Sequence, residues 1–107
     1  MNSKEYLGII EKGVGELAIS ILEGYVIEAM QVSKEFSEKL KQDIARWLLQ
    51  IQSGELSKQE FEWLLKAKGN LFEMQVLEQK GIARIKKDEF KEKVMNLLVD
   101  TAFTTFI

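Results

Sequence analysis

Apolar residues recur along most of this chain at steps of three and four, the spacing that gathers side chains on one face of an α-helix. Proline is absent, so glycine and capping residues are the only breaks in the pattern and long helices are permitted almost throughout. The pattern predicts an all-α fold, with a single domain over residues 1–107. This domain is expected to be a bundle of about four helices, at 4–32, 34–52, 58–80 and 89–106.

The first two predicted helices are separated by serines rather than by glycine. The apolar stripe of the first helix keeps its phase as far as Val32, and Ser33 or Ser37 is the expected N-cap of the second. The second helix has the clearest three- and four-residue spacing in the chain. We expect it to end near Gly54, because glycine readily adopts the left-handed conformation that closes a helix.

The third predicted helix opens with a capping box formed by Ser57 and Glu60. The pair Gly69 and Asn70 is a possible end for this helix, since glycine is a poor helix former. However, the apolar stripe keeps its phase across the glycine. We therefore expect one helix that continues to Lys80, with 69–70 as the place for a kink.

The last predicted helix follows a connector at 82–87, with Asp88 as its N-cap. Its stripe continues to the end of the sequence. Residues 101–107 are rich in β-branched and aromatic side chains, which favour strands, so an extended ending is the alternative.

The third and last helices each carry a second apolar seam away from the main stripe. On the third helix the seam has heptad spacing with Asn70 in its middle, where the amide would either set the register with a symmetry mate or cap a helix. Four helices cannot easily surround two of their own, so the surplus predicts a homo-oligomer, most simply a two-fold dimer. The candidate interface residues are Trp63, Ala67, Asn70, Met74, Leu77, Met95, Val99, Phe103 and Phe106.

Histidine and cysteine are both absent. The chain therefore lacks the commonest general base and the usual nitrogen and sulfur ligands of zinc. Its carboxylates lie largely away from the apolar stripes, as expected for a solvated face. The sequence predicts no catalytic, cofactor-binding or metal-binding residues, and a protein that is not an enzyme.

Charge and hydropathy narrow the range of partners. The net charge is −2, from 15 basic and 17 acidic residues, so no strong field attracts nucleic acid and none is expected to bind. The best apolar stretch, 17–30, is interrupted by Glu23 and Glu28, so no membrane span is expected. The N-terminal residues lack the pattern of a secretory signal, and a cytoplasmic location is the resulting expectation.

Three functional hypotheses follow. The surplus of apolar faces favours a non-enzymatic interaction or structural module, a homo-oligomer that binds another macromolecule. Size and mild acidity also fit a small inhibitor of the immunity-protein type, by analogy alone. The apolar segment 97–107 motivates a bundle that binds lipid or a small ligand, although it carries Asp100 and is too short to span a bilayer.

Overall fold

The computed structural model describes residues 2–22, 25–68 and 84–105, and nearly all of these are helical. The four α-helices are α1 (Ser3–Leu17), α2 (Val26–Gln52), α3 (Lys58–Lys68) and α4 (Arg84–Thr105). A π-helical segment, Ala18–Leu22, continues α1. No strand occurs within the described ranges. The predicted all-α bundle of about four helices is confirmed.

The boundary between the first two helices differs from the prediction. The helix predicted at 4–32 would be about 43 Å long, but the chain leaves the π-helical segment at Leu22 and enters α2 at Val26. No glycine or proline stands between Val26 and Gln52, whereas Gly24 lies in the connection. The break thus falls between Leu22 and Val26, and not at the serines.

Neither predicted serine caps a helix, because both lie inside α2. Ser33 is buried, and its hydroxyl makes no hydrogen bond within the part of the chain that the structure describes. The apolar stripe predicted one helix over 4–32 because the apolar faces of α1 and α2 have the same phase when the chain is drawn as one continuous helix. In three dimensions they face each other across the short connection.

The local signals around residue 54 are confirmed. Gly54 has a φ of 81°, in the left-handed region that glycine tolerates, and its N–H donates to the Ile51 carbonyl at 3.1 Å. At the start of α3, the Glu60 N–H donates to Ser57 Oγ at 3.1 Å, and the Ser57 N–H donates to Glu60 Oε1 at 3.0 Å. This reciprocal pair is the predicted capping box.

The last helix starts earlier than predicted. Arg84 to Lys87, expected in a connector, form the first turn of α4. Asp88 therefore lies within the helix, where it pairs with Arg84 at 3.9 Å instead of serving as the N-cap. The chain remains helical to Thr105, which resolves 101–105 in favour of helix. Residues 69–83 and 106–107, including the predicted kink, lie outside the described ranges.

The core is formed by one face of each helix. α1 packs against α2 and α4, and α4 also contacts the π-helical segment and α3. Close approach occurs at two glycines of α1: a Cβ at Gly13 would lie 2.5 Å from a methyl carbon of Leu97, and one at Gly15 would lie 3.2 Å from the sulfur of Met30. These contacts place α4 and α2 directly against the α1 backbone.

An aromatic cluster joins α3 to the bundle. The ring of Phe61 lies 6.2 Å from that of Trp47 in an edge-to-face arrangement, and 6.1 Å from that of Phe103. At the surface, the ammonium group of Lys58 lies 3.6 Å from the carboxylate of Asp100. Phe61 therefore docks the short helix α3 against both α2 and α4.

Candidate interaction surfaces

Among the described residues, no three carboxylates come close enough together to hold a metal ion. None of the helices at 2–22, 25–68 and 84–105 has the length and hydropathy needed to cross a bilayer. The features that remain are surfaces: one side of α3 and a groove between α1 and α2.

Trp63 projects from the side of α3 opposite the core. Phe61 and Leu65 are buried on the inner side, whereas Trp63 is 67% exposed and Ala67 is also exposed to solvent. We call the side that carries Gln59, Trp63, Lys66 and Ala67 the α3 outer face. These residues follow one another at steps of four, three and one, so they lie together on the helix surface.

Trp63 differs from the other large apolar residues that are exposed. It is the one aromatic side chain among those described. The others are aliphatic and are distributed over α1, the π-helical segment, α2 and α4, and exposed aliphatic residues are common on protein surfaces; they are Ile9, Ile19, Ile27, Leu49 and Ile85. Tryptophan is the residue type most enriched among the anchors of protein interfaces, so Trp63 marks the strongest candidate.

The second seam of α4 is covered mainly by the chain itself. Val99 is only 4% exposed and Ala102 is fully buried, so both belong to the core and neither is available on the surface. Met95 and Phe103 are half-buried and pack against that core. The reason is that α4 contacts α1, the π-helical segment and α3, so two of its sides are occupied.

Four of the predicted interface residues lie outside the described ranges. They are Asn70, Met74, Leu77 and Phe106. Of the seam predicted on the third helix, the structure therefore places Trp63 and Ala67 together on the α3 outer face. On α4 it brings Met95, Val99 and Phe103 toward the interior.

The sequence did not indicate the second surface, an open groove between α1 and α2. It has a volume of about 480 Å³ and is lined by Leu7 and Gly8 on α1 and by charged side chains of both helices. A Cβ at Gly8 would meet no heavy atom within 4 Å, so the groove is open above this glycine. We call this feature the α1–α2 groove.

The charges of the α1–α2 groove are arranged by sign. The contact of Gly15 with Met30 sets the register of the two antiparallel helices. Lys4 precedes Gly15 on α1 by the same number of residues as Lys41 follows Met30 on α2. The two lysines therefore lie at the same level, at one end. Along the helix axes, measured from the two lysines toward the contact of Gly15 with Met30, Glu38 lies about one turn away and Glu11 about two turns, or roughly 10 Å. A linear sequence shows these charges but not their juxtaposition.

None of these four charged side chains forms an ion pair with another described residue. By contrast, the charged groove at the start of α4, lined by Arg84, Lys87, Asp88 and Lys91, includes the pair between Arg84 and Asp88. The side chains of that pair are 91% and 65% exposed, as expected for a solvated helix start. The α1–α2 groove therefore differs from the groove at the start of α4 in that its charged side chains form no ion pair with other described residues.

No protein-family model, curated protein or solved structure matches this chain. Function must therefore be argued from the surfaces themselves.

Proposed function

We propose that this protein is a non-enzymatic helical interaction module that acts as a homo-oligomer, most simply a dimer, and presents its helices to another macromolecule. The observation that carries the proposal is the exposed indole of Trp63, with Ala67 beside it, on the α3 outer face. We assign this face to the contact between chains.

The free energy available from covering Trp63 supports this assignment. Burial of a large apolar side chain contributes about 1.5–3 kcal/mol, at roughly 25 cal/mol per Å² of apolar area removed from water. Trp63 is 67% exposed within one chain, so most of that gain is still available to a contact with a second molecule. The small side chain of Ala67 allows a neighbouring element to approach the helix closely.

The self-association is tested by light scattering over a range of protein concentrations. We expect the mass to approach twice the 12.3 kDa of one chain as the concentration rises. The substitution Trp63→Glu should hold the protein at the mass of one chain, because it places a charge in the desolvated centre of the contact.

A matched control is available on α2. Leu49 is exposed to the same extent as Trp63, at 67%, so Leu49→Glu adds the same charge at an equally exposed apolar position. This variant should self-associate like the unmodified protein. If the unmodified protein remains a single chain at high micromolar concentration, or if both variants behave alike, the α3 outer face is not the contact and the proposal fails.

A further inference from the structure

The α3 outer face alone is too small for a stable contact between chains. A standard interface covers about 800 Å² on each partner, and Trp63 with Ala67 provides only a fraction of this area. The second chain must therefore present a surface that receives the indole and also engages the flanks of α3. Within the described ranges, the α1–α2 groove has the shape and charge for this role.

We propose that Trp63 of each chain docks in the α1–α2 groove of a second copy, so that a two-fold dimer contains two equivalent contacts. The inference rests on the proposed function and specifies what the α3 outer face binds. Such a reciprocal arrangement is isologous, since the same two patches meet twice, and it closes without further chains.

The size of the groove is the first argument. The groove is open to solvent, and its volume of about 480 Å³ leaves room for an indole ring. The space above Gly8 is open, since no heavy atom lies within 4 Å of a Cβ position there. Leu7, beside Gly8, is half-buried and offers the aromatic ring an apolar surface.

Charge complementarity is the second argument. On α3, Glu60 precedes Trp63 by one turn and Lys66 follows it by one turn, so the two charges are about 9 Å apart with the indole between them. In the groove, the lysine end and Glu11 are about 10 Å apart, with Leu7, Gly8 and the second carboxylate, Glu38, between them. The two spacings match in length and are opposite in sign.

This match defines one orientation of the docked helix. Glu60 faces Lys4 and Lys41 with the carboxylate oxygen that the capping box does not use, Lys66 faces Glu11, and the indole lies over Gly8. Lys66 also forms an ion pair with Glu62 on its own helix, at 3.2 Å, but both side chains are solvent-exposed and this pair is weak enough to be shared. The two lysine ammonium groups lie beside the indole, whose π-face attracts cations.

Filling the groove tests the inference directly. In Gly8→Leu, a bulky side chain occupies the space proposed for the indole. We expect the dimer dissociation constant to rise at least tenfold, as with Trp63→Glu, when the mass is measured by light scattering. Folding should be preserved, because the position is open and leucine has a higher helix propensity than glycine. At low protein concentration, where single chains predominate, the melting temperature of Gly8→Leu should therefore be no lower than that of the unmodified protein.

Gln42→Leu is the matched control, since it places the same side chain at an exposed position of α2 that does not line the groove. This variant should self-associate normally. If Gly8→Leu also self-associates normally, the groove does not receive the indole and the inference is overturned.

A mixing experiment separates this contact from other ways of losing the dimer. The Gly8→Leu chain keeps its Trp63, and the Trp63→Glu chain keeps an open groove, so a mixed pair restores one of the two contacts. An equimolar mixture should contain more dimer than either variant alone at the same total concentration. A mixture no heavier than its components would overturn the inference.

The outcomes also distinguish this inference from the proposed function. If Trp63→Glu is a single chain but Gly8→Leu is still a dimer, the α3 outer face mediates self-association through a different surface. In that case the proposed function stands and the groove assignment fails. If neither variant changes the mass, both fail.

Discussion

A single tyrosine hydroxyl connects the first helix to the last. The Tyr6 O–H donates to the carbonyl oxygen of Leu98 at 2.7 Å, and the ring is fully buried. Burial raises the pKa of Tyr6 well above its ordinary value, because the phenolate would lose its hydration. The neutral hydroxyl is therefore the form that the folded chain accommodates.

Removal of this hydroxyl in Tyr6→Phe should lower the free energy of unfolding by about 1 kcal/mol at neutral pH, the usual net contribution of one hydrogen bond. The raised pKa also makes this difference depend on pH. The stabilisation is complete below the tyrosine pKa of the unfolded chain, about 10, and is lost above it because only the unfolded state ionises. Urea unfolding of both proteins from pH 7 to 11 should show the difference shrinking above pH 10. A constant difference would contradict this account.

Tyr6 is buried together with Ile10 and Val14 on one side of α1. Periodicity indicates which side of a helix is apolar. It does not indicate which polar atom at the edge of that side finds a partner, and the partner of Tyr6 is 92 residues away in sequence.

At the scale of single helices, the boundaries set by neighbouring residues were predicted correctly. Gly54 follows α2, and Ser57 with Glu60 begins α3, because these interactions link residues only a few positions apart. The boundary near residue 24 was missed because no capping residue marks it. There the break serves the packing of α1 against α2.

The capping box of α3 can be tested by Ser57→Ala. Loss of the serine oxygen leaves the Glu60 N–H without its acceptor, and we expect the free energy of unfolding to fall by about 1 kcal/mol. The substitution Gln59→Ala, at an exposed position of the same turn, should change it by less than about 0.5 kcal/mol. Chemical denaturation measures both, and equal effects would show that the cap contributes nothing specific.

The capping box of α3 also affects the pKa of Glu60. The Ser57 N–H, and then the Ser57 hydroxyl, hold the pKa of this carboxyl below its usual value by hydrogen bonding. The stabilisation from ionised Glu60 is therefore complete above the ordinary glutamate pKa, about 4.3, and is lost as the pH falls through the lowered value.

At the scale of the whole molecule, α4 shows why two apolar seams do not by themselves require a second chain. Val99 and Ala102 are buried because α4 packs against α1, the π-helical segment and α3. For α3 the result differs: Phe61 and Leu65 face the core and Trp63 faces solvent. The case for a partner therefore rests on α3.

The two sides of α3 should respond oppositely to truncation. Phe61→Ala removes a fully buried ring that contacts Trp47 and Phe103, and should cost about 3–5 kcal/mol of the free energy of unfolding. Trp63→Ala, at low protein concentration where single chains predominate, should change it by less than about 0.5 kcal/mol. Urea unfolding measures both, and a large loss in Trp63→Ala would show that the indole supports the fold of one chain.

The sequence by itself determined the helical content, the end of α2 and the start of α3, because helix periodicity and caps depend on residues within about one turn of each other. Only the tertiary structure decided where the chain turns between α1 and α2, which sides of α4 are covered, and that Lys4 and Lys41 share one end of a groove. These features depend on contacts between residues far apart in the chain, such as Gly13 with Leu97 and Tyr6 with Leu98, which no local pattern encodes.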